Sequence, residues 1–137
     1  MPNHPRLSVV VPLYNEEECV RPLVGAVAEA LRAQPSWELI LVDDGSRDRT
    51  AALAAELAAA DRRVRLVRLA RNFGQTQAMQ AGFDHARGEV VVSMDGDLQN
   101  DPTDIPRLLA KLDEGYDLVA GYRQRRRDRL VTRKVPS

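Results

Sequence analysis

Five short apolar runs, each separated from the next by a helical pattern, constrain the fold of this chain more than any other feature. They read "LSVVVPLY" (7 to 14), "ELILVD" (38 to 43), "VRLVRL" (64 to 69), "EVVVSMD" (89 to 95) and "YDLVAG" (116 to 121). Helical patterns run to about Arg32, then over about Thr50 to Ala60, Thr76 to Ala86 and Thr103 to Glu114. Strands rich in Val, Leu and Ile without polar alternation are expected to be buried on both faces, the condition of a mostly parallel sheet covered by helices. The fold class is therefore α/β. Turn chemistry agrees: Asp101 and Pro102 suit the start of the last helix, Asp48 or Ser46 the start of the second, and Gly115 a left-handed helix stop.

A chain of 137 residues, 44% of them hydrophobic, holds one domain with a core and has no room for a second full one. Its apolar runs fall far short of the roughly 20 residues that span a bilayer, and its N-terminus lacks the pattern of a secretory signal, so a cytosolic location is expected. The single cysteine, Cys19, rules out an internal disulfide and a cysteine-built zinc site. His4 and His85 have no partner pattern, and Trp37 and Phe83 read as packing residues. Net charge is zero, but residues 121 to 137 carry seven basic residues against Asp128, a net +6 that leaves −6 for residues 1 to 120. Such a segment either faces anionic lipid, phosphorylated substrate or nucleic acid, or is a solvated tail. "RRR" at 125 to 127 marks the place where the strand pattern is expected to end.

In an open α/β sheet, ligands bind beyond the carboxyl ends of the strands. Three polar clusters fall there: "YNEE" (14 to 17), "DDGS" (43 to 46) and "DGDLQ" (95 to 99). Residues two apart in an extended segment project to the same side, so Asp95 and Asp97 address one site, and Gly96 removes a side chain between them. Two carboxylates beside Gln99 suit Mg2+ or Mn2+, which keep other positions for water and substrate phosphates. A calcium EF-hand fails, because Asn100 and Pro106 stand where Gly and Glu are required. "DDGS" is either ordinary turn chemistry or a carboxylate for a nucleoside base or ribose. Tyr14 offers a ring beside a base and Glu16 a polar contact, or else an edge aromatic and a first-turn acid. "PLYNEE" stands where a dinucleotide fold would carry G-x-G-x-x-G, and no P-loop lysine motif is present. A phosphoacceptor receiver domain would place its acidic pair after the first strand.

Together, "VVVPLYNEE", "LVDDGSRDRT", "RNFGQTQAMQAGF", "MDGDLQNDP" and "DEGYDLVAGYRQ" resemble glycosyltransferase family 2, and within it the polyprenyl-phosphate glycosyltransferases. The resemblance spans about residues 7 to 124. It implies a GT-A fold, with residues 1 to 124 binding nucleotide-sugar and metal and residues 125 to 137 opening an acceptor-binding part. It further implies that Pro12, Tyr14, Glu16, Val42 and Asp44 hold the nucleoside. Asp95, Gly96, Asp97 and Gln99 would form the metal and diphosphate site, with Arg123 near the donor phosphates. Members often have Ala where Gly96 stands.

The implied reaction is metal-dependent, inverting transfer of a sugar from a UDP- or GDP-sugar to a polyprenyl phosphate. The implied location is peripheral, at the inner face of the cell membrane, with no nucleic acid partner and an oligomer possible. The catalytic base is expected beyond residue 137, so the alternative is a module that binds nucleoside diphosphate and metal without turnover.

Overall fold

The two most apolar runs become the centre of the sheet. The computed structural model describes residues 4–97, 101–113, 118–122 and 129–134. In chain order the elements are β1 (Leu7–Leu13), α1 (Val20–Ala30), β2 (Trp37–Asp43), α2 (Thr50–Ala60), β3 (Val64–Arg68), α3 (Gln75–His85), β4 (Val90–Ser93), α4 (Asp104–Asp113), β5 (Leu118–Tyr122) and β6 (Arg129–Lys134). They build one six-stranded sheet in the order β3-β2-β1-β4-β6-β5. β1 pairs in parallel with β2 and β4, and β2 with β3. β6 runs antiparallel to both β4 and β5.

Every residue of β1 and β2 is buried, because each strand is hydrogen-bonded on both edges and covered on both faces. Alternate residues sort the core in two. Leu7, Val9, Val11 and Leu13 of β1 join one cluster with Leu23 and Val27 of α1, Leu53 of α2, and Ile105, Leu108 and Leu112 of α4. Val10, Ile40, Val42 and Val91 join the other with Ala78 of α3. Each such leucine contributes about 1.5–3 kcal/mol by leaving water. The helices form where the sequence favours them. α2 is an alanine-rich run of high intrinsic propensity, while α1 and α4 carry Pro22 and Pro106 in their first turns, where a missing N–H breaks no intrahelical bond.

Two expectations need correction. β3 is half-buried, with only Val64 fully covered and Arg68 exposed, because it lies at the edge of the sheet. The strand pattern also does not end at residue 124. "RLVTRK" forms β6 and sits between β4 and β5. Its arginines invite a reading as solvated tail, yet Leu130, Val131 and Thr132 have strand propensity. Gly115 lies outside the described residues. Among the described residues, no helix is long and apolar enough to cross a membrane.

The two ends of the sheet differ in chemistry. At the amino ends of the strands, Glu38 is 3% exposed. It accepts hydrogen bonds from Ser8 Oγ (2.6 Å), the Arg87 backbone N–H (2.8 Å) and Arg65 (2.8 Å). Burial would raise its pKa, but these donors and the Arg65 charge hold it below the ordinary value. This group ties β1, β2 and β3 together at their amino ends.

Candidate functional site

At the carboxyl ends, three loops are sewn to one another by side chains. Asn15, in a left-handed conformation (φ 52°), donates its N–H to Ser46 Oγ (2.9 Å) and accepts the Arg47 N–H on Oδ1 (2.8 Å). The Glu16 N–H reaches Thr50 Oγ1 (2.8 Å), and the Arg49 N–H reaches Glu17 Oε1 (2.9 Å). The β1–α1 loop is therefore fixed to the β2–α2 loop. Asp48 serves both, accepting the Thr50 N–H on Oδ1 (2.9 Å) and the Glu17 N–H on Oδ2 (3.3 Å). Of the two residues expected to start α2, Asp48 contributes and Ser46 is turned to the β1 loop instead.

The β2 end is bound to the segment before α3. Asp43, almost fully buried, accepts the Ser46 N–H at 3.3 Å and closes the turn. Asp44, 3% exposed, accepts the Phe73 N–H on Oδ1 (2.8 Å), and the Gly74 N–H (3.1 Å) and Asn72 Nδ2 (3.0 Å) on Oδ2. Gly45 permits this closeness. Its φ is +74°, and a Cβ there would lie 2.4 Å from both Arg71 C and Asn72 N.

These loops enclose a cleft of about 370 Å³ lined by Pro12, Leu13, Tyr14, Glu16, Asp44, Asn72, Gly74, Gln75, Asp95, Gly96 and Asp97. Tyr14 stands at its mouth, 43% exposed. Gly96 lies against the end of β1, where a Cβ would sit 2.4 Å from Leu13 Cδ2 and 3.0 Å from the Pro12 carbonyl oxygen. Alanine at this position, as the resemblance leads one to expect, needs Leu13 to move.

The cleft is electronegative. Burial pushes the Glu16 pKa up, and the charges of Asp97, Asp48 and Asp95 push it further. Burial likewise raises the Cys19 thiol, with Glu16, Asp97 and Glu18 adding to the effect, which disfavours its thiolate. Glu16, Asp95 and Asp97, which share this cleft, favour a cation beside them. Among the described residues, no group of three or more His, Cys, Asp or Glu could hold a metal by itself. Asp95 and Asp97, both on the cleft, are a donor pair of the kind that fits a hard divalent ion, whose other positions stay open to phosphate and water.

Of the residues expected to form the site, Pro12, Tyr14, Glu16, Asp44, Asp95, Gly96 and Asp97 share the cleft. Val42 does not line it: its side chain is fully buried in the core beneath α3, among Val10, Ile40 and Ala78. Gln99 and Arg123 lie outside the described residues. Asn72, Gly74 and Gln75 line the cleft as well, yet "RNFGQ" had suggested resemblance without a role. The signal was available, because the segment follows β3 as the other clusters follow their strands.

A mostly parallel sheet of this order, with an acidic cleft at the carboxyl ends of its parallel strands, has the GT-A glycosyltransferase fold. The mannosyltransferase PcManGT from Pyrobaculum calidifontis, solved in complex with GDP-Man and Mn2+, matches with a TM-score of 0.78 at 22% identity, over 96% of this chain and 45% of that one. Glucosyl-3-phosphoglycerate synthase from Mycobacterium tuberculosis, solved with Mn2+, UDP and glucosyl-3-phosphoglycerate, matches with a TM-score of 0.69 at 27% identity, over 88% and 45%.

The chain belongs to glycosyl transferase family 2, matched over residues 8–137. It is 53% identical over 134 residues to dodecaprenyl-phosphate galacturonate synthase of Rhizobium johnstonii, covering 96% of this chain and 40% of that protein. It is 43% identical over 132 residues to undecaprenyl-phosphate 4-deoxy-4-formamido-L-arabinose transferase of Salmonella choleraesuis, covering 95% and 40%. The chain thus spans about 40% of the length of these relatives.

Proposed function

We propose that this chain forms the donor-binding part of a metal-dependent, inverting glycosyltransferase that moves a sugar from a nucleotide-sugar to a polyprenyl phosphate. The observation that carries the reading is the convergence of Tyr14, Glu16, Asp44, Asp95 and Asp97, from three different strand ends, on one cleft. The names of the two relatives support the class of acceptor.

The cleft divides by chemistry. Tyr14 packs beside the nucleoside base, and Glu16 makes a polar contact to the nucleoside. An ionised carboxylate offers about four acceptor positions. The Asn72, Phe73 and Gly74 donors take three on Asp44, which leaves one for a base N–H or a ribose hydroxyl. By the resemblance, Asp95, Asp97 and Gln99 would hold Mg2+ or Mn2+ for the donor diphosphate, and Arg123 would serve its phosphates. When bound, the cation neutralises the charge that grows on the diphosphate as the sugar bond breaks. The acceptor phosphate oxygen attacks the anomeric carbon from the opposite face, and the bonding pair leaves with the nucleoside diphosphate. A phosphate monoester, with a second pKa of about 6, is largely dianionic at neutral pH and needs little help from a base.

The basic segment that includes Arg125, Arg126 and Arg127 brings the protein to the inner membrane surface as a peripheral component. Sedimentation with vesicles that contain or lack anionic lipid checks this; equal binding to both would refute it. A second reading, donor binding without turnover by these residues alone, draws on the fraction of its relatives that the chain spans. Incubation with radiolabelled UDP- and GDP-sugars and undecaprenyl phosphate separates the two. Label in the lipid phase supports transfer; nucleotide binding without lipid labelling supports the second reading.

A further inference from the structure

The residue that opens α3 reaches across the cleft to the end of β4. Gln75 Nε2 donates a hydrogen bond to Asp95 Oδ1 at 3.1 Å. β2 and β4 are not neighbours in the sheet, since β1 lies between them. The connection is made above the sheet instead, by the segment that Asp44 holds. Asp44 anchors Asn72, Phe73 and Gly74, the next residue is Gln75, and its amide holds Asp95. Gly74 adopts φ +109°, a backbone conformation that L side chains rarely adopt, and so sets the direction in which α3 starts.

We infer that Gln75 is a positioning residue, which fixes the rotation of the Asp95 carboxylate so that the cation and diphosphate meet a preformed ligand. The inference rests on the donor- and metal-binding reading of the cleft and goes beyond it by assigning a role to a residue that bears no charge. The choice of an amide has a physical reason. A neutral donor orients a carboxylate without adding a positive charge that would repel the metal or a negative one that would compete for it. Groups that orient a metal ligand in this way are worth about 10- to 100-fold in metal affinity.

The test uses the 137-residue chain with MnCl2 and either UDP or GDP, following free Mn2+ by electron paramagnetic resonance and nucleotide by calorimetry. Gln75→Met keeps the length and loses the donor; Gln75→Asn keeps the amide but is one methylene short of Asp95. Both variants should bind Mn2+ with nucleotide about tenfold more weakly than wild type, while metal-free nucleotide affinity and the thermal midpoint change far less. A general structural role would lower all of these together. Mn2+ affinity in Gln75→Met within about twofold of wild type, well inside the loss expected for such a group, overturns the positioning role alone. A wild-type chain that binds neither nucleotide with Mn2+ overturns the donor reading as well.

Discussion

Replacing Gly45 by alanine tests whether the contact between the β2–α2 turn and the segment before α3 is as close as the structure has it. Two costs add. An L residue at φ +74° is strained by about 1–2 kcal/mol. The new Cβ would stand 2.4 Å from Arg71 C and Asn72 N, closer than the 3.0 Å below which real Cβ contacts essentially never occur. Those are backbone atoms and cannot rotate away, so the segment must shift, at about 1–3 kcal/mol for an overpacked site. The sum, about 2–5 kcal/mol, is a large part of the roughly 5–15 kcal/mol that holds a domain folded. Urea denaturation followed by circular dichroism should give a lower midpoint at unchanged slope for Gly45→Ala. A loss below about 1 kcal/mol, less than strain and overpacking together require, would refute the close approach.

Asp44→Ala leaves the Phe73 and Gly74 N–H groups without their acceptor and Asn72 Nδ2 with only the residue 44 carbonyl, and should cost at least about 2 kcal/mol. It should also speed hydrogen exchange at the Phe73 and Gly74 amides, and unchanged exchange would count against the anchoring role. Glu38 has a pKa held below the ordinary 4.5, so its contribution to stability is complete above that value and is lost as pH falls through the depressed one. Glu38→Gln should therefore lose less stability than wild type on acidification below pH 4.5, and equal losses would contradict the buried ion cluster. Glu16 has the opposite sign. Its pKa is raised, so the ionised side chain reduces stability as pH rises above 4.5. Glu16→Gln should be more stable than wild type at pH 7, with the gap closing in acid. A variant no more stable at pH 7 would show that the crowded charges do not act on one another.

Much of this was legible because one physical requirement recurs along the chain. A strand covered on both faces cannot alternate, so β1, β2 and β4 show as unbroken apolar runs and the helices between them fall within two residues of the expected ends. Asp95 and Asp97 were legible for the same reason: polar residues directly after a buried strand have few structural explanations. β6 was hidden because its charge count outweighed its short apolar stretch. The three-sided engagement of Asp44 was hidden as well, since its partners lie 28 to 30 residues away in sequence and no local pattern announces them. The place of Val42 in the motif says nothing about which way its side chain points, and the pleat of β2 sends that side chain into the core.

The most direct test of the central claim is calorimetric titration of the chain with UDP and with GDP, each with and without Mn2+, repeated on Asp97→Asn. The account predicts that at least one of the two nucleotides binds wild type, that Mn2+ strengthens the binding, and that the strengthening disappears in the variant. Failure of both nucleotides to bind wild type with Mn2+, or a Mn2+ effect equal in wild type and Asp97→Asn, would contradict it.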